Sequence, residues 1–223
     1  MFRRRSRSFA TNLRIVGLLV AIASSAGAQQ LRLPFDGRWF VFQGGDTPNV
    51  NDHTTVPAQR YALDFMKVGD PEQRGLSRSD PRRLEDYYSW GAPVLAPADG
   101  DIVDLVDTLP DNELGVKDAN RPLGNHVTLR VAPDRYVFLA HFQRRSVAVK
   151  LGAHVKRGDL LGRCGNSGNT DFPHIHMHIQ DTPTFNAGTG QNPQFAGINV
   201  ELSGKRFDHV DWPLIRGLFV SNP

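Results

Sequence analysis

Residues 173–178 read Pro173-His174-Ile175-His176-Met177-His178. Successive side chains of a strand alternate between faces, so His174, His176 and His178 line one side while Ile175, Met177 and Ile179 point to the other. Three imidazoles then share a surface. Imidazole is the commonest protein ligand for metals and the commonest general acid or base near neutral pH, so one such face can supply both a ligand and a catalyst. The bland alternative is an exposed polar strand face that happens to be rich in histidine, because a short His tract is by itself only a compositional hint of metal binding.

Around this strand the chain reads as a series of further short β-segments. Trp39 to Gln43 is one, and Arg60 to Met66 alternates Tyr61, Leu63 and Phe65 against Arg60, Ala62 and Asp64. Pro93 to Ala96, Asp101 to Val106, His126 to Val131, Tyr136 to His141, Asp159 to Arg163 and His174 to Gln180 follow. Glycine (21) and proline (15) are frequent enough to punctuate many turns between short strands. One stretch reads as helical: Ser79 or Asp80 can cap it, Pro81 suits its first turn, and Arg82 to Tyr88 continues it. It sits in a polar insertion, residues 69–91, and a second polar insertion runs from Asp107 to Leu123. Insertions of that size on a β-scaffold serve either as functional walls or as excursions. The expectation is a mainly β fold: an antiparallel sheet forming an open barrel or sandwich core, with loop insertions and at most one short helix.

The first 14 residues hold five arginines and no acid. The apolar run Ile15 to Ala23 follows, and Ala26-Gly27-Ala28 supplies an A-x-A site before Gln29. This is the pattern of a secretory signal peptide over residues 1–28. No apolar run approaches the roughly 18 residues that span a bilayer, so the mature chain is expected to be exported, periplasmic or secreted, with no membrane span. Removing those five arginines leaves 21 basic against 23 acidic residues, which turns the net charge from +3 to −2. The basicity therefore belongs to the leader and gives no case for a nucleic-acid partner. Residues 29–223 are enough for one domain with its own core. The single cysteine, Cys164, can form no intrachain disulfide and reads as a small core residue.

The order of the motifs resembles the lysostaphin-type (LytM-like) zinc endopeptidases, which cut peptide cross-links in bacterial cell walls. The likeness runs from about Gln59 to Asp181. Gly91-Ala92-Pro93-Val94-Leu95-Ala96-Pro97 with Asp99-Gly100 looks like the family's opening strands and turn. Phe138-Leu139-Ala140-His141-Phe142 is a loose match to its Tyr-x-His-Leu element. Val155-Lys156-Arg157-Gly158-Asp159 and Gly165-Asn166-Ser167-Gly168-Asn169-Thr170 match two glycine turns, and Pro173-His174-Ile175-His176 matches the Pro-His-Leu-His signature. The resemblance implies that Asp64 and His176 ligate one zinc per chain and that His141 and His174 are the catalytic histidines. It favours His174 as base and His141 as oxyanion stabiliser, with the roles open to exchange. His178 stands where the family usually has Glu or Gln and reads as a supporting or surface residue. His126, His154 and His209 read as ordinary histidines.

The departure from the family lies in the third ligand. The common motif is His-x-x-x-Asp, but Arg60 stands four positions before Asp64, and a guanidinium has no lone pair to give a metal. His53, in Asn51-Asp52-His53, is the nearest replacement, since Thr54-Thr55-Val56-Pro57-Ala58 can fold the chain back. The resemblance therefore implies an exported zinc-dependent endopeptidase acting on peptidoglycan peptides or related peptides. Two other readings stand beside it. One is a degenerate binding or activator protein of cell-wall amidases, for which Arg60 is the best argument. The other is a lipoyl- or biotinyl-carrier-like domain suggested by Val155 to Leu161, which lacks a lysine at an exposed hairpin tip.

Overall fold

The structure is a computed structural model that describes residues 30–69 and 75–223. The signal-peptide assignment, residues 1–28, lies outside the described residues. Twelve strands follow in chain order: β1 Trp39–Gln43, β2 Leu63–Lys67, β3 Pro93–Leu95, β4 Gly100–Val106, β5 Asn125–Ala132, β6 Arg135–Phe142, β7 His154–Val155, β8 Leu160–Arg163, β9 Ile175–Gln180, β10 Ile198–Leu202, β11 Lys205–Val210 and β12 Phe219–Ser221. Ten of them form one sheet in the order β11-β10-β12-β1-β2-β9-β6-β5-β4-β7, and β3 pairs with β8 in a second, two-stranded sheet. All named strand pairings are antiparallel. The large sheet stays open, since its outer strands β11 and β7 do not meet.

The alternation in β9 builds the core. Ile175, Met177 and Ile179 are fully buried and cluster with Val137 and Leu139 of the adjacent β6 and with Val127 and Leu129 of β5 beyond it. The β3–β8 pair covers this face through Val94 and Leu161. Phe35 stacks on Trp39 with ring centroids 4.4 Å apart and meets Phe65 edge-on at 5.0 Å, closing the β1–β2 end. Burial of each such side chain contributes about 1.5–3 kcal/mol. Cys164 belongs to the same core. Burial also pushes its thiol pKa upward, away from nucleophile chemistry.

The eight strands read from sequence all form, Trp39–Gln43 with its expected ends and the others with an end shifted by one to three residues. The largest shift is in β2, which starts at Leu63 because Ala62 N–H donates to Gln59 O and holds Arg60 and Tyr61 in the preceding turn. The helix expected over Arg82 to Tyr88 is replaced by a single 3-10 turn, Leu84–Asp86. There the Asp86 carboxylate accepts the N–H groups of Arg82 and Arg83, and the Arg78 and Tyr88 N–H groups donate to Asp86 O and Leu76 O. Residues 86–88 thus pair back on 76–78, so their amides have no helical partner left to seek. With the 3-10 turns Asp52–Thr55 and Pro57–Gln59, this accounts for all helix among the described residues.

Candidate metal and catalytic site

Strand register places the first two residues. Asp64 of β2 is the direct partner of His176 of β9, so both side chains stand on one face, opposite the core. His176 Nδ1 lies 3.0 Å from Asp64 Oδ1. On the other side of β9, Ala140 pairs with His176 and Phe138 with His178. Regular alternation along β6 would therefore send His141 toward the core. A bulge prevents this: Asn125 pairs with Phe142 and His126 with Ala140, leaving His141 unpaired, and its φ of +65° turns the ring back to the His176 face. A positive φ at a non-glycine residue stores strain, and such residues cluster at functional sites.

Anchors to backbone carbonyls orient the rings. His141 Nδ1 donates to Ser167 O at 2.8 Å, and His174 Nδ1 donates to Phe172 O at 2.9 Å with Thr170 Oγ1 at 3.2 Å. A carbonyl oxygen only accepts, so both rings carry their proton on Nδ1 and present the Nε2 lone pair to the site. The His141 and His174 ring centroids are 4.7 Å apart, and His174 Nε2 is 3.6 Å from Asp64 Oδ1.

His53 arrives from the 3-10 turn Asp52–Thr55. Asn51 caps that turn, its Oδ1 accepting from His53 N–H at 3.2 Å. The Asn51 amide nitrogen donates to Gly45 O, Arg60 O and Ala62 O at 2.8, 3.3 and 3.1 Å, which fixes Oδ1 toward His53. Oδ1 also accepts from His53 Nδ1 at 2.9 Å. The Nε2 lone pair of His53 is thereby aimed at Asp64, with Oδ2 3.7 Å away. Arg60, by contrast, is exposed and extends over the Tyr61 ring.

Donor atoms of His53, Asp64 and His176 all lie within 4.8 Å of one another. Two nitrogens and one carboxylate oxygen are the donor types of a catalytic zinc site with an open position. Both ring nitrogens of His176 are engaged at this site, Nε2 2.9 Å from His178 Nδ1 and Nδ1 3.0 Å from Asp64 Oδ1.

Electrostatics follow from the same packing. Burial opposes ionisation of Asp64, but the fields of His53 and His174 and the hydrogen bonds of His174 and His176 hold its pKa well below the usual carboxylate value. Burial, reinforced by neighbouring histidines, drives His141 and His178 well below their ordinary 6.5. It also lowers His53. At His174 burial acts in the same direction, but the Asp64 carboxylate outweighs it and the pKa is raised.

These residues line a cleft of about 340 Å³. Lys117, Pro122 and Leu123 of the second insertion form one wall, so that insertion is part of the site. Phe42, Phe172 and Phe185 supply apolar surface, and a Lys117–Asp171 ion pair stands at the rim. The structure thus brings together all five residues expected from sequence: His53, Asp64, His141, His174 and His176. It adds Asn51 and Ser167 as anchors. His178 is fully buried, its ring stacked on Phe138 at 4.6 Å and 7°, which removes the surface option for it. His126 bonds Gly124 O and Asp104, and His154 bonds Asp101; neither lines the cleft. The signal for His178 was its two-residue spacing from His176, and for Ser167 only the glycine-rich turn around it.

A profile of Peptidase family M23 matches residues 87–193, a span that includes His141, His174 and His176. The peptidoglycan DD-endopeptidase ShyC of Vibrio cholerae is 29% identical over 133 residues, covering 54% of this chain and 26% of the relative. The glycyl-glycine endopeptidase ALE-1 of Staphylococcus capitis is 29% identical over 125 residues, covering 55% and 30%. The chain thus spans less than a third of the length of these curated relatives. The catalytic domain of lysostaphin from Staphylococcus simulans superimposes with a TM-score of 0.40 and 21% identity, over 71% of this chain and 89% of that domain.

Proposed function

From the match of residues 87–193 to Peptidase family M23, we propose that this chain is an exported zinc-dependent endopeptidase that hydrolyses peptide bonds of peptidoglycan cross-links or related peptides. The observation that carries the reading is the convergence of His53, Asp64 and His176 within 4.8 Å, beside two further imidazoles that open on the same cleft. His53, Asp64 and His176 would hold one zinc, and residues 29–223 act as one peptidase domain. Bound there, the metal would supply an acidified water and polarisation of the scissile carbonyl.

The remaining work falls to His141 and His174. Their Nε2 atoms face the cleft, and each ring is fixed by a backbone carbonyl on Nδ1. One takes the proton of the attacking water and the other, protonated, steadies the oxyanion of the tetrahedral intermediate. Both rings are anchored by a carbonyl on Nδ1, but only His174 also meets Thr170 Oγ1, at 3.2 Å, and Asp64 Oδ1, at 3.6 Å, which favours His174 as base and His141 as stabiliser with the roles open to exchange. The assembled donor set supports hydrolysis over a degenerate binding role, because a site released from chemistry has no reason to keep five residues and their anchors in register.

The test is digestion of purified peptidoglycan by the mature protein, followed through the release of new amino groups. A chelator is expected to stop it and zinc to restore it. Activity that survives complete, verified metal removal overturns the mechanism.

A further inference from the structure

Gln180, the last residue of β9, is fully buried. Its Nε2 lies 2.9 Å from Thr182 O, 3.0 Å from Thr182 Oγ1 and 2.7 Å from Thr184 O. Carbonyl oxygens only accept, so the atom facing them is the amide nitrogen and Oε1 is turned away. Two polar atoms of this strand face then remain buried with no close partner, Gln180 Oε1 and His178 Nε2. They stand two residues apart on the same side of the strand. The two atoms do not meet in hydrogen-bonding geometry, but the Gln180 side chain acts on His178 as a hydrogen-bonding neighbour; an amide oxygen can only accept, so a neutral His178 serves it by carrying its proton on Nε2. That leaves a lone pair on His178 Nδ1, which lies 2.9 Å from His176 Nε2. The stack of His178 on Phe138 holds the ring in this orientation.

We propose that Gln180, His178 and His176 form a one-way hydrogen-bond relay that selects Nδ1 of His176 as the lone-pair atom facing Asp64, with His178 as a positioning residue. The alternative tautomer of His176 would donate Nδ1–H straight to Asp64. That state satisfies the two facing atoms and leaves no lone pair on His176 Nδ1 for a cation. The relay disfavours it, because His176 Nε2 would then oppose the His178 lone pair. Partners of this kind, behind a ligating histidine, commonly change metal affinity by about 10- to 100-fold when removed. The proposal rests on the zinc reading above only for the identity of the cation.

The test combines nitrogen NMR of the histidine rings, in the protein lacking residues 1–28 with and without zinc, and zinc affinities of His178→Leu and His178→Gln. Expected are an Nε2–H tautomer at His178 in both states, a loss of about 10- to 100-fold in affinity for His178→Leu, and near-native affinity for His178→Gln, whose amide oxygen can still accept. An Nδ1–H tautomer at His178, or full affinity in His178→Leu, overturns the relay. A wild-type protein that binds no zinc overturns the peptidase reading instead, and the His178 tautomer of that metal-free protein still decides the relay.

Discussion

Asp64 and His176 face each other as direct register partners of β2 and β9, carboxylate oxygen 3.0 Å from ring nitrogen. Backbone ladder bonds hold both Cα atoms, so the separation of the two donor groups is set by the sheet rather than by flexible loops. The third donor, His53, reaches them only through the turn that Asn51 caps.

Zinc occupancy separates ligands from bystanders. Asp64→Ala, His176→Ala and His53→Ala are each expected to lower the zinc content of the purified protein sharply, because two protein donors are too few for a tightly held catalytic zinc. Arg60→Ala leaves occupancy near wild type, since that side chain points away from the cleft. Metal analysis of the four variants checks this, and full occupancy in His53→Ala would show that another donor completes the site.

For the two catalytic histidines the signature is the reverse. His141→Ala and His174→Ala are expected to keep zinc while lowering kcat by about 100-fold or more, the scale of a lost acid or base. Loss of zinc from either variant would move that residue into the ligand set.

Stability of the metal-free protein depends on pH through the buried rings. His53, His141 and His178 have pKa values lowered from 6.5 by burial, so below 6.5 the unfolded chain binds protons that the folded protein refuses. Their contribution is complete above 6.5 and is lost as the pH falls. His174 acts in the opposite sense, stabilising below 6.5 and losing that contribution as the pH rises through its raised value. Three rings outweigh one. Thermal unfolding without metal should therefore show Tm falling as the pH drops below about 6.5, with a shallower fall in His141→Gln; a Tm that rises toward acid contradicts this.

Gly124 is the most sensitive small residue near the site. Its φ is +60°, and a Cβ there would lie 2.2 Å from Ser167 O, the carbonyl that anchors His141. Gly124→Ala is expected to destabilise the fold by about 1–3 kcal/mol and to lower kcat as well, measured by thermal unfolding and by peptide release. Unaltered Tm and rate would mean that the Gly124–Ser167 approach can relax freely.

Much of this arrangement was readable from the sequence together with its family resemblance. The alternation of β9 gave both its core face and its histidine face, and motif order led to Asp64, His141, His174 and His176. The bulge at His141 was not readable, because an apolar run such as Phe138 to Phe142 carries no mark of a residue left out of the ladder. His178 was underread for a related reason: its burial depends on Phe138 and Phe185, distant in sequence. The expected helix over Arg82 to Tyr88 failed because neither Ser79 nor Asp80 caps it: Asp80 binds the Arg82 guanidinium, and the backbone amides are claimed by Asp86 and by residues 76–78. Strands β7, β10, β11 and β12 were missed altogether, β7 being only two residues long and the others carrying no clear alternation to stand out from turns.

Those last strands give the molecule protection against self-association. β12 covers the outer side of β1, where Trp39 pairs with Val220 and Phe40 with Phe219, and β10 in turn covers β12. The apolar strand beside the Asp64 strand is thereby withheld from any neighbouring chain that could add to its ladder. The edge is passed outward to β11, which presents Lys205, Arg206, Asp208 and His209. The opposite edge, β7, is only two residues long. Charge on one border and brevity on the other make both edges of the ten-stranded sheet poor templates for strand addition.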